Sequence, residues 1–386
     1  MSNIQLTTLT PVHVGSGELL QYNADFVEDK DGSDSYIYVV EPAKILQLIG
    51  MENIDRWISI IENAGNTKEF VQKFSPIKSP EAFSSRKILN FAKKIQKGQI
   101  LNETIHNGFG FPYIPGSSLK GAIRTAVLAS LVGRVNDKEE KILSKDRKGK
   151  TIISDKKIQN ELFGNDAKND LFRFVEVGDA YFEKGSEAAF RMIHLNITNK
   201  NSLLDDSKSQ IVETIDQEKK SVFRLNINLN RYHFAKEKWD QAVSYSKNKV
   251  INSPGKLPEC LQSVENLFQT INAHTLKLVN DEIKFWKEID QKKAGADNYL
   301  DVMKSIQGEI INCTKGKECI LRLGHASGWR FITGAWAENL NNFYSEVVPA
   351  ARPNNDKYPD DVFPKTRRVE EEYQDLLGFV KLTLIH

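Results

Sequence analysis

Cysteine is scarce in this chain. Cys260, Cys313 and Cys319 are the three cysteines among 386 residues. An odd count without framework spacing excludes a secreted disulfide scaffold. No CxxC pair is present, and the histidines form no HxH or HxxxH pair, so neither a metal site nor a cofactor is indicated. Long apolar runs are missing too. None approaches the 18 residues of a membrane-spanning helix. The opening MSNIQLTTLTPVHV has no basic segment followed by an apolar one. A signal peptide is therefore not expected, and the expected location is the cytoplasm. Excess charge is also lacking. Lys plus Arg is 53 and Asp plus Glu is 51, a formal net charge of +2. That excludes a protein that holds an acidic partner by bulk charge. A nucleic-acid surface would have to be local, with basic residues gathered on one face. The GxxxxGK[ST], GxSxG and HExxH motifs are absent. Asp25, Asp179 and Asp216 are isolated acids that form no catalytic pair.

What remains is ordinary globular material, 40% hydrophobic and 27% charged. The length suggests two or three domains at about 150 residues each. Ile4 and Leu6 among alternating threonines predict an opening strand, and Tyr36 to Val40 predicts another. Pro42 suits the first turn of a helix to about Leu48. Residues 52–97 are expected to be a helical insertion, from Ile54, Trp57, Ile58 and Ile61, then Ile88, Phe91, Ala92 and Ile95. Residues 134–170 are charge-rich, with Lys145, Arg147, Lys148, Lys150, Lys156 and Lys157 among acids. They suit an exposed arm or mobile loop. Leu171 to Val177 and Ala189 to Ile197 are expected strands, and 200–210 a loop. Phe223, Leu225, Ile227 and Leu229 alternate with polar residues, the mark of a half-buried strand. A long helix runs from Pro258 to about Trp286. Ile320 to Leu323 and Phe379 to Leu384 are expected strands, and Thr333 to Phe343 suits a helix. Strands and helices in mixed order indicate an α+β fold with an antiparallel sheet in each half, residues 1–210 and 211–386.

Three motifs stand out. In Tyr113-Ile-Pro-Gly-Ser-Ser-Leu-Lys-Gly-Ala-Ile-Arg124, Pro115 and Gly116 end an extended segment, and Ser117 or Ser118 suits an N-cap. Such a turn into a helix offers free N–H groups and a positive dipole end to phosphate. Lys120 and Arg124 lie four apart on one face. Spacing alone fits equally a capped surface helix with two solvated cations. The second motif is the loop Gly324-His-Ala-Ser-Gly328, followed by Trp329 and Arg330. Its glycines permit close backbone approach, while Trp329 suits either base stacking or the core. The third, Pro364-Lys365-Thr366-Arg367-Arg368, is a basic patch or a solvated face.

Taken together these segments resemble the RAMP superfamily, the repeat-associated subunits of CRISPR effector complexes. YIPGSSLKGAIR at 113–124 resembles its signature. TLTPVHVGSG at 8–17 is similar to its N-termini. LRLGHASGWRFITG at 321–334, with PKTRR at 364–368 and LGFVKLTL at 377–384, looks like the Csm family's end-capping, fifth subunit of type III-A complexes. The resemblance implies two ferredoxin-like (RRM-like) domains with antiparallel sheets and helical insertions. It implies a non-catalytic subunit that binds the 3′ part of the CRISPR RNA, caps the filament of backbone subunits and supports guide 3′-end maturation in antiviral defence. Implied partners are the guide RNA, the backbone and small Csm subunits, and target RNA nearby, with room for a recruited cellular nuclease. Carried over by position, Gly116, Ser117, Ser118, Lys120 and Arg124 would hold guide phosphates. His13, Gly15 and Ser16 would line the same groove, and Gly324, Ser327, Gly328 and Arg330 would form a second glycine loop beside the basic Lys365, Arg367 and Arg368. The other reading is a metal-independent endoribonuclease that cleaves repeat RNA. It would use His13 or His325 as base and Lys120 or Arg124 to stabilise charge.

Overall fold

The structure is a computed structural model and describes residues 1–63, 65–77, 79–245, 256–352 and 363–385. Four strands open the chain: β1 (Ser2–Thr8), β2 (Gly15–Gln21), β3 (Phe26–Asp31) and β4 (Asp34–Val40). Helices α1 (Pro42–Ile49), α2 (Ile54–Glu62) and α3 (Thr67–Val71) follow, then β5 (Ser84–Asn90), β6 (Ile100–Thr104) and β7 (Tyr113–Ile114). Next come α4 (Gly116–Leu131), α5 (Lys138–Ile142), β8 (Leu143–Lys145), β9 (Thr151–Ile153) and α6 (Lys156–Phe163). Strands β10 (Val175–Val177), β11 (Ala180–Tyr181), β12 (Glu187–Asn196), β13 (Leu204–Ile215) and β14 (Lys220–Ile227) precede α7 (Leu229–Tyr245). The last elements are α8 (Val264–Lys287), α9 (Ala296–Ile311), β15 (Glu318–Arg322), α10 (Val348–Ala351), β16 (Thr366–Glu370) and β17 (Phe379–Ile385). Among the described residues, no helix is long and apolar enough to cross a membrane.

One sheet has the order β10-β14-β1-β17-β15 and is antiparallel throughout. With α4 between β1 and β10, and α8 between β14 and β17, the chain follows β-α-β-β-α-β. The spatial order is second, third, first, fourth, which is the ferredoxin-like arrangement, with β15 added at one edge. Ile4 lies opposite Phe223 and Leu384, and Leu6 opposite Leu382. Ile4 and Leu6 are fully buried, while Gln5 faces the other side. Leu119, Ile123 and Val127 of α4 and Leu267, Phe268 and Ile271 of α8 complete this core. Fully burying each such side chain is worth about 1.5–3 kcal/mol. The second sheet has the order β2-β6-β13-β12-β5-β4-β3, with β16 beside the end of β12. Its β12–β5 and β13–β6 pairs are parallel and the rest antiparallel. The α1–α3 cluster packs Ile45, Trp57 and Phe70 against Val27 and Tyr38. The chain is thus α+β, as expected.

Several local expectations are corrected. Within 52–97 the α-helices described reach only to Val71, followed by a short 3-10 turn at Pro80–Phe83. Ile88 lies in β5, whose Leu89 pairs with both Tyr36 and Ala188, so the apolar spacing there belongs to a strand inside a sheet. Residues 134–170 are folded: β8 and β9 form a small hairpin, and Ile142, Ile158 and Phe163 are buried in the first core. Leu204 to Gln210, expected as a loop, begins β13. Leu171 to Phe174 is a 3-10 turn, so the strand there starts at Val175. Gly15 to Gly17 belongs to β2, and 330–347 forms short 3-10 and π turns. The division at 210 falls inside β13, and β1 pairs with both β14 and β17. Neither sheet is built from one side of that division.

Candidate nucleic-acid interface

The 8–17 segment and the Gly324–Gly328 loop approach each other where the two sheets join. Val12 and Ile215 exchange backbone hydrogen bonds of 2.8 Å, which carries the chain from β1 to β13. Beyond it, the His325 N–H donates to His13 O at 2.9 Å. The two imidazoles meet edge to face at 5.7 Å. Gly324 has φ +81°, and a Cβ there would stand 2.5 Å from His13 O, so the contact requires glycine. Ser327 Oγ donates to Gly324 O and closes the loop. Gly328 opens to solvent, with nothing within 4 Å of a would-be Cβ. Gly15 and Ser16 are exposed beside His13, and Ser16 Oγ donates to Glu103 Oε2 at 2.8 Å. Arg368 reaches His325 from β16. Trp329 packs on Phe343 and Phe363, which is the core alternative.

The histidines here carry no charge near neutrality. His13 is 5% exposed, and burial lowers its pKa, only partly offset by its Nδ1–H bond to Glu213 O. Burial, Arg368 and His13 push His325 down to about 4.

Three of the cations singled out from the sequence, Arg124, Arg330 and Arg367, are already matched by acids. Arg330 and Arg367 both bind Glu282 of α8, Arg367 at 2.9 Å. Trp286 Nε1 and the Tyr299 hydroxyl donate to the same carboxylate. Burial alone would raise the Glu282 pKa, but Arg367 and Arg330 outweigh it and hold the group well below the usual carboxylate range. Arg124 binds Asp170 at 2.8 Å and lies over Phe163 and Phe172. It fastens α6 and the Asp170 turn to α4. Lys120, half-buried beside it, makes no ion pair among the described residues, and burial lowers its pKa. Lys365 is half-buried, and its carbonyl accepts the Ile197 N–H.

The start of α4 differs from a free anion site. Its cap position is Pro115, and Ser117 and Ser118 lie inside the first turn. Gly116 is buried, and its N–H donates to Asp179 Oδ1 at 2.7 Å. A Cβ on Gly116 would meet Val177 O at 2.3 Å. The glycine therefore serves the packing of α4 on β10, and Asp179 supplies the anion at the helix end. Ser117 stays exposed. The two motifs share one flank: the Ile105 N–H donates to Val14 O, and the Tyr113 N–H donates to Ile105 O.

A buried charged cluster underlies β2 and β6. Glu103, His106 and Glu213 bring their ligand atoms within 4.8 Å of one another. Arg86 already binds Glu213 at 2.9 Å and Glu103 at 2.8 Å. The guanidinium takes the place a metal cation would need. Nor do the described contacts assemble the endoribonuclease alternative: none joins His13 or His325 to Lys120 or Arg124.

Sequence reasoning missed Glu282 and Glu213, and noted Asp179 only as an isolated acid without seeing its place at the start of α4. Glu282 had a signal: it sits on the apolar stripe of α8 between Leu278 and Trp286. Asp179 and Glu213 act across the fold and left none.

A ferredoxin-like sheet with a glycine loop closing against the segment that follows its first strand defines a RAMP-type chain. The RAMP superfamily model matches residues 5–331, and the chain belongs to that superfamily. Among characterised relatives it is similar to the CRISPR system protein Csm5 of Methanocaldococcus jannaschii. The two are 24% identical over 99% of this chain and 88% of that one. Csm5 of Streptococcus thermophilus is 31% identical over 32% of this chain and 37% of its own. Among solved structures, it resembles a chain of a Csm–crRNA–target RNA ternary complex of a type III-A system, with TM-score 0.71, 18% identity and full coverage of both chains. T. onnurineus Csm5 aligns with TM-score 0.59 and 19% identity over 97% of this chain and 99% of that one.

Proposed function

We propose that this chain is the Csm5-type subunit of a type III-A CRISPR effector complex. It holds the 3′ part of the guide RNA, caps the filament of backbone subunits and supports maturation of the guide's 3′ end. Its partners are the guide RNA, the backbone and small Csm subunits, nearby target RNA and a recruited cellular nuclease. It is cytoplasmic, and it is a binding subunit without catalysis of its own. The observation that carries this reading is the end-to-end likeness to Csm5 relatives, covering 99% of this chain.

Within this reading the backbone around Gly15, Ser16, Gly324 and Gly328 approaches the RNA phosphates, and Ser117 and Lys120 extend the contact along the shared flank. His13, Gly116, Ser118, Arg124, Ser327, Arg330, Arg367 and Arg368 hold those groups in place. Backbone contacts position RNA without reading its sequence. The test is to assemble the complex with and without this chain and to size its guide RNAs. Longer, ragged 3′ ends are expected without it; an unchanged size distribution would overturn the role in maturation.

A further inference from the structure

The segment between β6 and β7 was not among the sequence motifs, yet it displays aromatics on a tied-down turn. Asn107 Oδ1 accepts the N–H groups of Phe109 and Phe111, both at 3.0 Å. The Asn107 N–H donates to Phe111 O at 3.0 Å, and the Gly110 N–H donates to Asn107 O at 2.9 Å. Gly110 takes φ +78°, which suits glycine. Four hydrogen bonds in five residues thus fix a tip whose Phe109 ring is 80% exposed. Along the same segment Phe111 lies under the Lys184 ammonium, 5.1 Å from the ring centre. Tyr113 stacks on Tyr181 at 5.1 Å with the planes 29° apart. Tyr181 is 48% exposed, and its hydroxyl is held by Asp179.

Phe111 and Tyr181 border the uncovered face of the ferredoxin-like sheet, with the Phe109 tip two residues from Phe111. An open cleft of about 370 Å³ is lined by Phe111, Tyr181, Phe182, Gln5, Lys220 and Val222. Gln5 and Val222 are cross-strand neighbours on β1 and β14, and Arg224 is the next residue on that face. Lys184, Lys220 and Arg224 are exposed, and none of them makes an ion pair among the described residues. Glu183 is the acid in the same lining.

We propose that this platform binds single-stranded RNA. Bases stack on Phe109, Phe111 and Tyr181, and phosphates pair with Lys184, Lys220 and Arg224. The inference rests on the RNA-guided reading above and gives it a second contact surface. Stacking suits a single strand because every base has a π-face, and unpaired cations beside the rings suit its backbone. The centre of a protein-binding patch is instead depleted of charge. The held tip also spares the entropy of ordering a loop on binding.

The test uses the assembled complex carrying this chain, wild type or altered, and its endogenous guide RNA. Phe109→Ala with Tyr181→Ala should speed guide loss in a chase by about tenfold, and Phe109→Trp should restore retention. Lys184→Ala with Lys220→Ala should flatten the salt dependence of RNA binding by about 0.7 per cation removed. Ultraviolet cross-linking should recover RNA on peptides 105–113 and 180–184. Guide present in the wild-type complex but unaffected by these changes, with no cross-link there, would overturn the platform and leave the broader reading intact. Retained RNA with a lost neighbouring subunit would mark the face as a protein contact and also overturn it. A wild-type complex without RNA would sink both.

Discussion

Glu282 shows how single residues divide between holding the fold and meeting a ligand. Its carboxylate, 1% exposed at the side chain, ties α8 to Arg330 and to Arg367 of β16. Removing one partner of such a buried set strands the other charges, so Glu282→Gln is expected to cost about 3–5 kcal/mol in urea unfolding. The pH dependence follows from the sign of the shift. A carboxylate held below its usual range stabilises the fold above that range and loses the contribution as pH falls through it. The gap between wild type and variant should therefore be widest near pH 7 and shrink progressively as the pH falls below about 4. His13 and His325 give the complementary case. Both have lowered pKa values, and His325, pushed down to about 4, stays neutral as pH falls through 6.5. RNA affinity measured by fluorescence anisotropy should stay flat from pH 8 to 6. A rise in that window would show that a histidine at the junction gains charge.

At the level of elements, α4 was legible and its environment was not. Leu119, Ile123 and Leu131 announce the helix, and all are buried. Nothing near Gly116 in sequence announces that Val177 O lies against it or that Asp179 caps it. Gly116→Ala should destabilise the chain by about 1–3 kcal/mol through that clash, read from the urea midpoint, with no change in net charge. Strand β14 was readable because one face is buried and one is open, so Phe223 and Leu225 alternate with Val222 and Arg224. Strand β5 was misread as helix because it lies between two strands, and its buried Ile88 falls in helical spacing with Ala92 and Ile95 of the irregular segment that follows it. The start of β13 was misread as loop because Leu204 to Gln210 is largely exposed and polar. Periodicity reports one-sided burial; where burial is two-sided or nearly absent, the signal fades. The same limit hid the Phe109 tip, which is defined by Asn107 and Gly110 hydrogen bonds and not by a repeat.

For the molecule as a whole, the near-zero net charge acquires a spatial meaning. Arg124, Arg330, Arg367 and Arg86 are matched inside the fold by Asp170, Glu282 and Glu213. Lys220 and Arg224 are exposed on one open sheet face with Lys184 in a nearby turn, and the Gly324–Gly328 loop lies where the two sheets join. On the proposed reading, RNA is met over limited surfaces and the rest of the molecule packs on protein. The interleaving of β1 with β14 and β17 also makes the two ends of the chain part of one sheet. The measurement that tests the central claim most directly is affinity purification of the tagged full chain, co-expressed with the backbone and small Csm subunits and a CRISPR array. The account predicts co-elution of those subunits with a ladder of guide RNAs that survives nuclease treatment. Recovery of the chain alone, free of RNA and of backbone subunits, would contradict it.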